Sequence, residues 1–257
     1  MHPMHKLLAV SLLAVTITAC AAPRQPRIPE RIIERALANA PGEAQPGKIV
    51  ATETAFARAA REEGQWTAFT QFSAADAVLH GRNGPIQARP WLASLDDPAK
   101  AVDWAPRSVW MSCDGKVAVS QGRFRDPEGL VGTFITVWER QDDLSYRWVY
   151  DIGSPDDPQP EKKPQDEAED DAILVQAGEV IQGYVADCLA PGEALPAAPM
   201  DLVPNNTDHA IAQSPDGTLR WRWEHGDDGT RRVVASYFSE GEWRTFLDRP
   251  MPVGGGE

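Results

Sequence analysis

The chain has 257 residues, with 38 acidic against 25 basic side chains and a formal net charge of −13 at pH 7. An acidic body without a Lys/Arg cluster is repelled by phosphate backbones and anionic lipid heads, so nucleic acid is excluded as a partner. Only residues 7–17 form a long apolar run, and they fall short of the roughly 20 residues a membrane helix needs.

That run opens the chain in an informative way. Lys6 supplies a positive start, Leu7 to Ile17 are apolar or small, and Ile17-Thr18-Ala19-Cys20 closes the stretch, the pattern of a cleaved export signal. The last four residues resemble the lipobox of bacterial lipoproteins. The resemblance implies cleavage before Cys20, a lipid on its sulfur and attachment to the membrane through that lipid. Ala21, where an Asp would signal otherwise, implies the outer membrane, facing the periplasm. The alternative is an ordinary signal with a chance cysteine.

Residues 20–47 carry five prolines and read as a tether, with at most a short helix over Glu30 to Ala40. Residues 154–171 combine prolines with a run of charges and almost no apolar side chains, so they read as a linker between a first domain, 48–153, and a smaller unit, 172–250. Residues 251–257 form a flexible tail. With Cys20 lipidated, Cys113 and Cys188 are left as a natural disulfide pair in an oxidising compartment; a buried thiol at each position is the alternative. Neither has a His or Cys within a few residues, so no metal site is expected.

In the first domain, Ile49, Phe56, Ala59, Ala60 and Glu63 recur at near-helical spacing, with a break near Gly64 and a second helical turn through Trp66, Phe69 and Phe72. Ala77 to His80 reads as a short strand, and Pro90 to Leu95 as a short helix with proline in its first turn. Val102 to Cys113, Val117 to Arg125, Thr133 to Arg140 and Tyr146 to Ile152 then read as strands separated by turn residues. Helices followed by an antiparallel meander predict an α+β layout, one curved sheet with its helices on one face.

Gly122-Arg123-Phe124-Arg125, the Gly129 to Gly132 turn, Thr133 to Trp138 and Arg147 to Gly153 resemble the second half of SnoaL-like or DUF4440-type members of the NTF2-like superfamily. The resemblance covers about residues 48–153. It implies a cone whose sheet wraps a cavity beneath the first helix, a fold used by isomerases, dehydratases, hydrolases and non-catalytic binding modules alike.

Strand alternation puts Phe134, Thr136 and Trp138 on one face. It groups Arg147, Val149 and Asp151 together, opposite Tyr146, Trp148 and Tyr150. Asp151 and His80 could abstract a proton beside a carbonyl if burial tunes the carboxyl towards neutrality, although a strand-end Asp and a lone His more often serve structure. Trp66, Trp110, Thr136 and Tyr150 are the candidate ligand-binding residues of the cone. No nucleophile elbow, zinc-binding helix or phosphate loop is present, so no cofactor is expected. The paired acids Asp96-Asp97 and Asp156-Asp157 read as solvated loop charges.

In the second unit, Ile173 to Val185 is apolar enough for a strand or a helix, with its β-branched residues, Gly178 and Gly183 favouring strand, and Thr218 to Glu224, Arg231 to Ser239 and Trp243 to Leu247 read as three strands. Leu219, Trp221 and Trp223 share one face, opposite Arg220 and Arg222; core packing is expected of them ahead of a stacking platform. The sequence therefore points to an envelope lipoprotein whose module binds a small apolar ligand or a protein partner without catalysis. An isomerase or dehydratase using His80 and Asp151 is the alternative.

Overall fold

The computed structural model describes residues 43–160, 180–190, 192–198 and 207–253. The export signal, Cys20, the expected helix over Glu30 to Ala40 and most of the acidic linker lie outside the described residues.

Helix α1 (Pro46–Glu62) starts with proline in its first turn and buries Ile49, Glu53, Phe56 and Ala60, one stripe at alternating spacings of four and three. Gly64, at φ 121°, breaks the chain before α2 (Gln65–Phe72). The turn is held from a distance: the Asp97 carboxylate accepts the backbone N–H groups of Trp66, at 2.5 Å, and Thr67, at 3.2 Å, and the Thr67 hydroxyl at 2.6 Å. Asp97 thus caps the orphan donors of α2 and is not merely a solvated loop charge. A side chain on Gly64 would collide with it, since a Cβ there would lie 2.2 Å from Asp97 Oδ2.

Strands β1 (Ser73–Gly81) and β2 (Gly84–Gln87) form a hairpin, followed by helix α3 (Ala88–Leu92). The meander follows as β3 (Asp103–Met111), β4 (Val117–Arg125), β5 (Val131–Arg140) and β6 (Tyr146–Pro155). After the linker, β7 (Gln182–Val185) returns to the same sheet, whose order is β2-β1-β6-β5-β4-β3-β7. The expected meander is antiparallel as read, but the sheet as a whole is mixed: β1 runs parallel to β6, and β7 parallel to β3.

Strands β8 (Thr207–Gln213), β9 (Leu219–Gly226), β10 (Arg231–Ser239) and β11 (Glu242–Pro250) form a second, antiparallel sheet. The sequence reading missed β2 and β8, a short segment and a polar one with little apolar signal.

The large sheet is buried on both faces. On one, α1, α2 and α3 cover Val109, Met111, Ala118, Trp138 and Trp148 around Phe56. On the other, Val119, Ile135, Val137, Tyr150 and Ile152 pack against Leu219, Trp221, Trp223 and Val233 of the second sheet. The tryptophans of β9 are core residues, as their alternation implies. The second unit is therefore less separate than its linker suggests: it lends a strand to the first sheet and covers that sheet's back face. The disulfide Cys113–Cys188, with Cα atoms 5.2 Å apart, joins the two at the β3/β7 edge.

One irregularity decides which side chains reach the helical face. Between β5 and β6 the register slips, with Val137 opposite Tyr150 but Trp138 opposite Trp148, so Val149 is the extra residue of a β-bulge. Tyr146 and Trp148 therefore face the helices together with Asp151's partner Thr136, while Tyr150 turns to the back. Simple alternation grouped all three aromatics on one face, and the bulge overturns that grouping.

Candidate functional site

Beneath the helices, the helical face of the sheet encloses a pocket of about 290 Å³. Its walls are aromatic: Trp66 and Phe69 from α2, Trp91 from α3, Trp104 from β3, and Phe124 and Phe134 from β4 and β5. The rings interlock at their edges, with centroids 5.6 Å apart for Trp66 and Phe69, 5.8 Å for Trp66 and Trp91, and 5.9 Å for Phe69 and Trp104. Gln65, Thr136 and Asp151 supply the polar lining side chains, along with His80 at the border.

Thr136 and Asp151 are cross-strand partners, and the Thr136 hydroxyl donates to Asp151 Oδ2 at 2.6 Å. Burial raises the Asp151 carboxyl from its ordinary 3.8 to about 6, and the Thr136 hydrogen bond offsets part of that rise. No buried side-chain nitrogen or oxygen among the described residues lacks a partner. Asp151 Oδ1 has no hydrogen-bond partner there, so it lies on the accessible wall of the pocket.

A second carboxyl lies one layer behind. Glu53 of α1 is buried and accepts hydrogen bonds from Ser120 Oγ at 2.6 Å, Trp104 Nε1 at 3.1 Å and Trp138 Nε1 at 3.3 Å. No cation among the described residues joins it; desolvation raises it to about 7, and the negative charge of Asp151 adds to that rise. Ser120, Thr136 and Asp151 occupy successive register positions on β4, β5 and β6, so the carboxyls are linked across a single polar row. The sequence reading missed Glu53. Its signal is its place in the Ile49, Phe56, Ala60 stripe, where a carboxyl on a buried helix face demands donors.

His80 borders the pocket, but its ring is spent elsewhere. Nδ1 pairs with the Tyr150 hydroxyl at 2.7 Å and Nε2 with His225 Nδ1 at 3.0 Å, and no hydrogen bond joins it to Asp151. Burial, followed by the charges of Arg231 and His225, lowers His80 to about 3. It is neutral at physiological pH, and the expected His80/Asp151 couple is not assembled. Arg231 of β10 anchors the same corner by donating to the backbone carbonyls of His80, Gly153, Met251 and Pro252.

Of the four residues expected to bind ligand, Trp66 and Thr136 line the pocket. Trp110 does not: it is packed between the sheets, stacked on Phe246 at 4.4 Å and Tyr184 at 5.5 Å. Tyr150 is likewise a back-face residue, buried against Trp221 with its hydroxyl on His80. No group of three or more potential metal ligands occurs among the described residues.

No protein-family model matches the chain, and no curated protein matches it. Solved structures similar to part of it include an NTF2-like superfamily protein from Salmonella enterica serovar Typhimurium, 14% identical, covering 48% of this chain and 96% of that one with a TM-score of 0.33. A ketosteroid isomerase candidate from Parabacteroides distasonis is 18% identical over 46% of this chain and 93% of that one, with a TM-score of 0.37. An NTF2-like protein of unknown function from Mesorhizobium loti is 13% identical, covering 43% and 93%, with a TM-score of 0.29.

Proposed function

We propose that this protein is an envelope lipoprotein, anchored through Cys20, whose NTF2-like cone binds a small and largely apolar ligand without transforming it. The observation that carries the binding reading is the pocket, a concave aromatic enclosure whose accessible floor holds a hydroxyl and a carboxyl side by side. The non-catalytic reading rests on His80, whose two ring nitrogens are engaged away from Asp151. Saturable binding of a neutral bicyclic probe such as 2-naphthol, read by quenching of tryptophan fluorescence, tests it. Ile86→Trp, which fills the pocket from β2, should abolish that binding. Absence of saturable binding by the wild type, or binding untouched by Ile86→Trp, would sink the reading.

A second reading is supported by one feature, a carboxyl near pH 6 that faces the cavity. In it Asp151 alone is the base of a proton-transfer enzyme. Solvent deuterium incorporation into a cyclic enone, present in the wild type and lost in Asp151→Asn, would select this reading; no incorporation leaves the binding module.

A further inference from the structure

We propose that the ligand of this pocket is an organic cation, an amine carried on a small aromatic or aliphatic body, held with its ammonium against Asp151 and its body among the tryptophans. The proposal rests on the binding reading above and names the ligand class within it. Three observations converge. Asp151 presents to the cavity an oxygen without a donor among the described residues, while its other oxygen is held by Thr136. Among the described residues no Lys or Arg side chain lines the pocket, and none pairs with Glu53, whose partners are Trp104, Ser120 and Trp138. The rings that line the space, Trp66, Phe69, Trp91 and Trp104, are electron-rich and carry no competing charge.

Each ligand class meets this site differently. An anion would face the Asp151 carboxyl, with Glu53 behind it and no Lys or Arg among the described lining residues to neutralise it. A neutral apolar molecule would fill the volume but displace water from the carboxylate without pairing it, a costly exchange. An ammonium provides donors for the open oxygen, and aromatic faces attract cations further, most strongly those of tryptophan. His80 contributes no positive charge to the pocket because it is neutral and bonded to Tyr150 and His225. The volume of about 290 Å³ restricts the body to roughly one or two rings or a short chain.

The test compares matched probes on the folded protein: 2-phenylethylammonium, 2-phenylethanol and the anion phenylacetate, with affinities measured by calorimetry at pH 7.5. The ammonium should bind at least tenfold more tightly than the alcohol, and phenylacetate should not bind. Asp151→Asn should weaken the ammonium at least tenfold while leaving the alcohol within about twofold, which also shows that the variant keeps its pocket. Trp91 is 40% exposed at the rim, so Trp91→Leu should fold normally and weaken the ammonium severalfold more than the alcohol. Equal affinity for ammonium and alcohol, or an ammonium affinity indifferent to Asp151→Asn, overturns the cation assignment and leaves an apolar pocket. If neither these probes nor 2-naphthol binds, the binding reading falls together with it.

Discussion

Gly122 of β4 and Phe134 of β5 are cross-strand partners, and the phenylalanine ring lies over the glycine where a side chain would otherwise stand. A Cβ on Gly122 would fall 2.5 Å from the ring and 2.2 Å from the Ala105 carbonyl oxygen. Two positions along, the pair is reversed: Phe124 of β4 covers Gly132 of β5, where a Cβ would come within 2.3 Å of that ring. The exchange gives two large rings room over the glycines of the neighbouring strand, where both line the pocket. Gly122→Ala should therefore destabilise by about 1 to 3 kcal/mol, the usual cost of overpacking, and reduce probe binding in the pocket. An unchanged unfolding midpoint and unchanged affinity would mean the rings can move aside at no cost.

The two tryptophans that the sequence reading treated alike should behave differently. Trp110 is 8% exposed, clamped between the sheets by Phe246 and Tyr184. Trp110→Ala should lower stability by about 3 to 5 kcal/mol and leave ligand selectivity alone. Trp66 is only half-buried and forms a pocket wall, so Trp66→Ala should cost less stability and more affinity. Chemical denaturation and probe titration on both variants check the contrast, and equal effects on both readouts would refute it.

How far the sequence reaches can be judged from particular residues. The strands of the meander were legible because β-branched and aromatic runs alternate with turn residues, and the face holding Phe134, Thr136 and Trp138 followed from alternation alone. What failed was register across β6: the bulge at Val149 depends on how two strands align, and no local pattern marks it. The same limit applies to His80, since its partner His225 lies 145 residues away on the other sheet. Glu53 was hidden for a different reason. A carboxyl on an apolar helix stripe conflicts with the pattern used to recognise the helix, and its donors Trp104, Ser120 and Trp138 come from three strands. Asp97 is a further case, a loop charge locally and a helix cap in three dimensions.

Glu53 gives a pH dependence with a definite sign. Its carboxyl rises from 4.5 to about 7 on folding, so below pH 4.5 both states hold the proton and it contributes no slope. Between 4.5 and 7 only the native state retains the proton, so stability falls as pH rises, by on the order of 3 kcal/mol in all. Asp151 acts in the same direction between 3.8 and about 6. His80 opposes both, because its folded value near 3 makes stability rise with pH up to 6.5. Glu53→Gln removes one term and should make stability above pH 7 at least equal to the wild type, with a markedly smaller loss between pH 5 and 7.5. Denaturation curves at both pH values decide; an unaltered difference would place the titration elsewhere.

Reduction of the Cys113–Cys188 bridge should loosen one edge of the molecule before the rest. Strand β7 has four residues, all exposed, and is attached through its parallel pairing with β3. Immediately beyond it the chain is pinned at three points: Ala186 N–H to the Met111 carbonyl at 2.9 Å, Asp187 N–H to the Phe238 carbonyl at 2.9 Å, and the disulfide itself. Cys113 also donates its N–H to Thr218 Oγ1 at 3.0 Å, so the bridge lies where both sheets and the returning strand meet. Cross-linking positions 75 residues apart should stabilise the fold by roughly 4 kcal/mol in the chain-entropy model, most of it through restriction of the unfolded chain. For a domain of this size the corresponding fall in unfolding midpoint is on the order of 10 °C. The double variant Cys113→Ala, Cys188→Ala should show that fall, with amide exchange accelerated first at Gln182 to Val185 and later in β4, β5 and β10. An unchanged midpoint, or β7 amides as protected as in the oxidised protein, would show that the strand pairing with β3 holds this edge without the bridge.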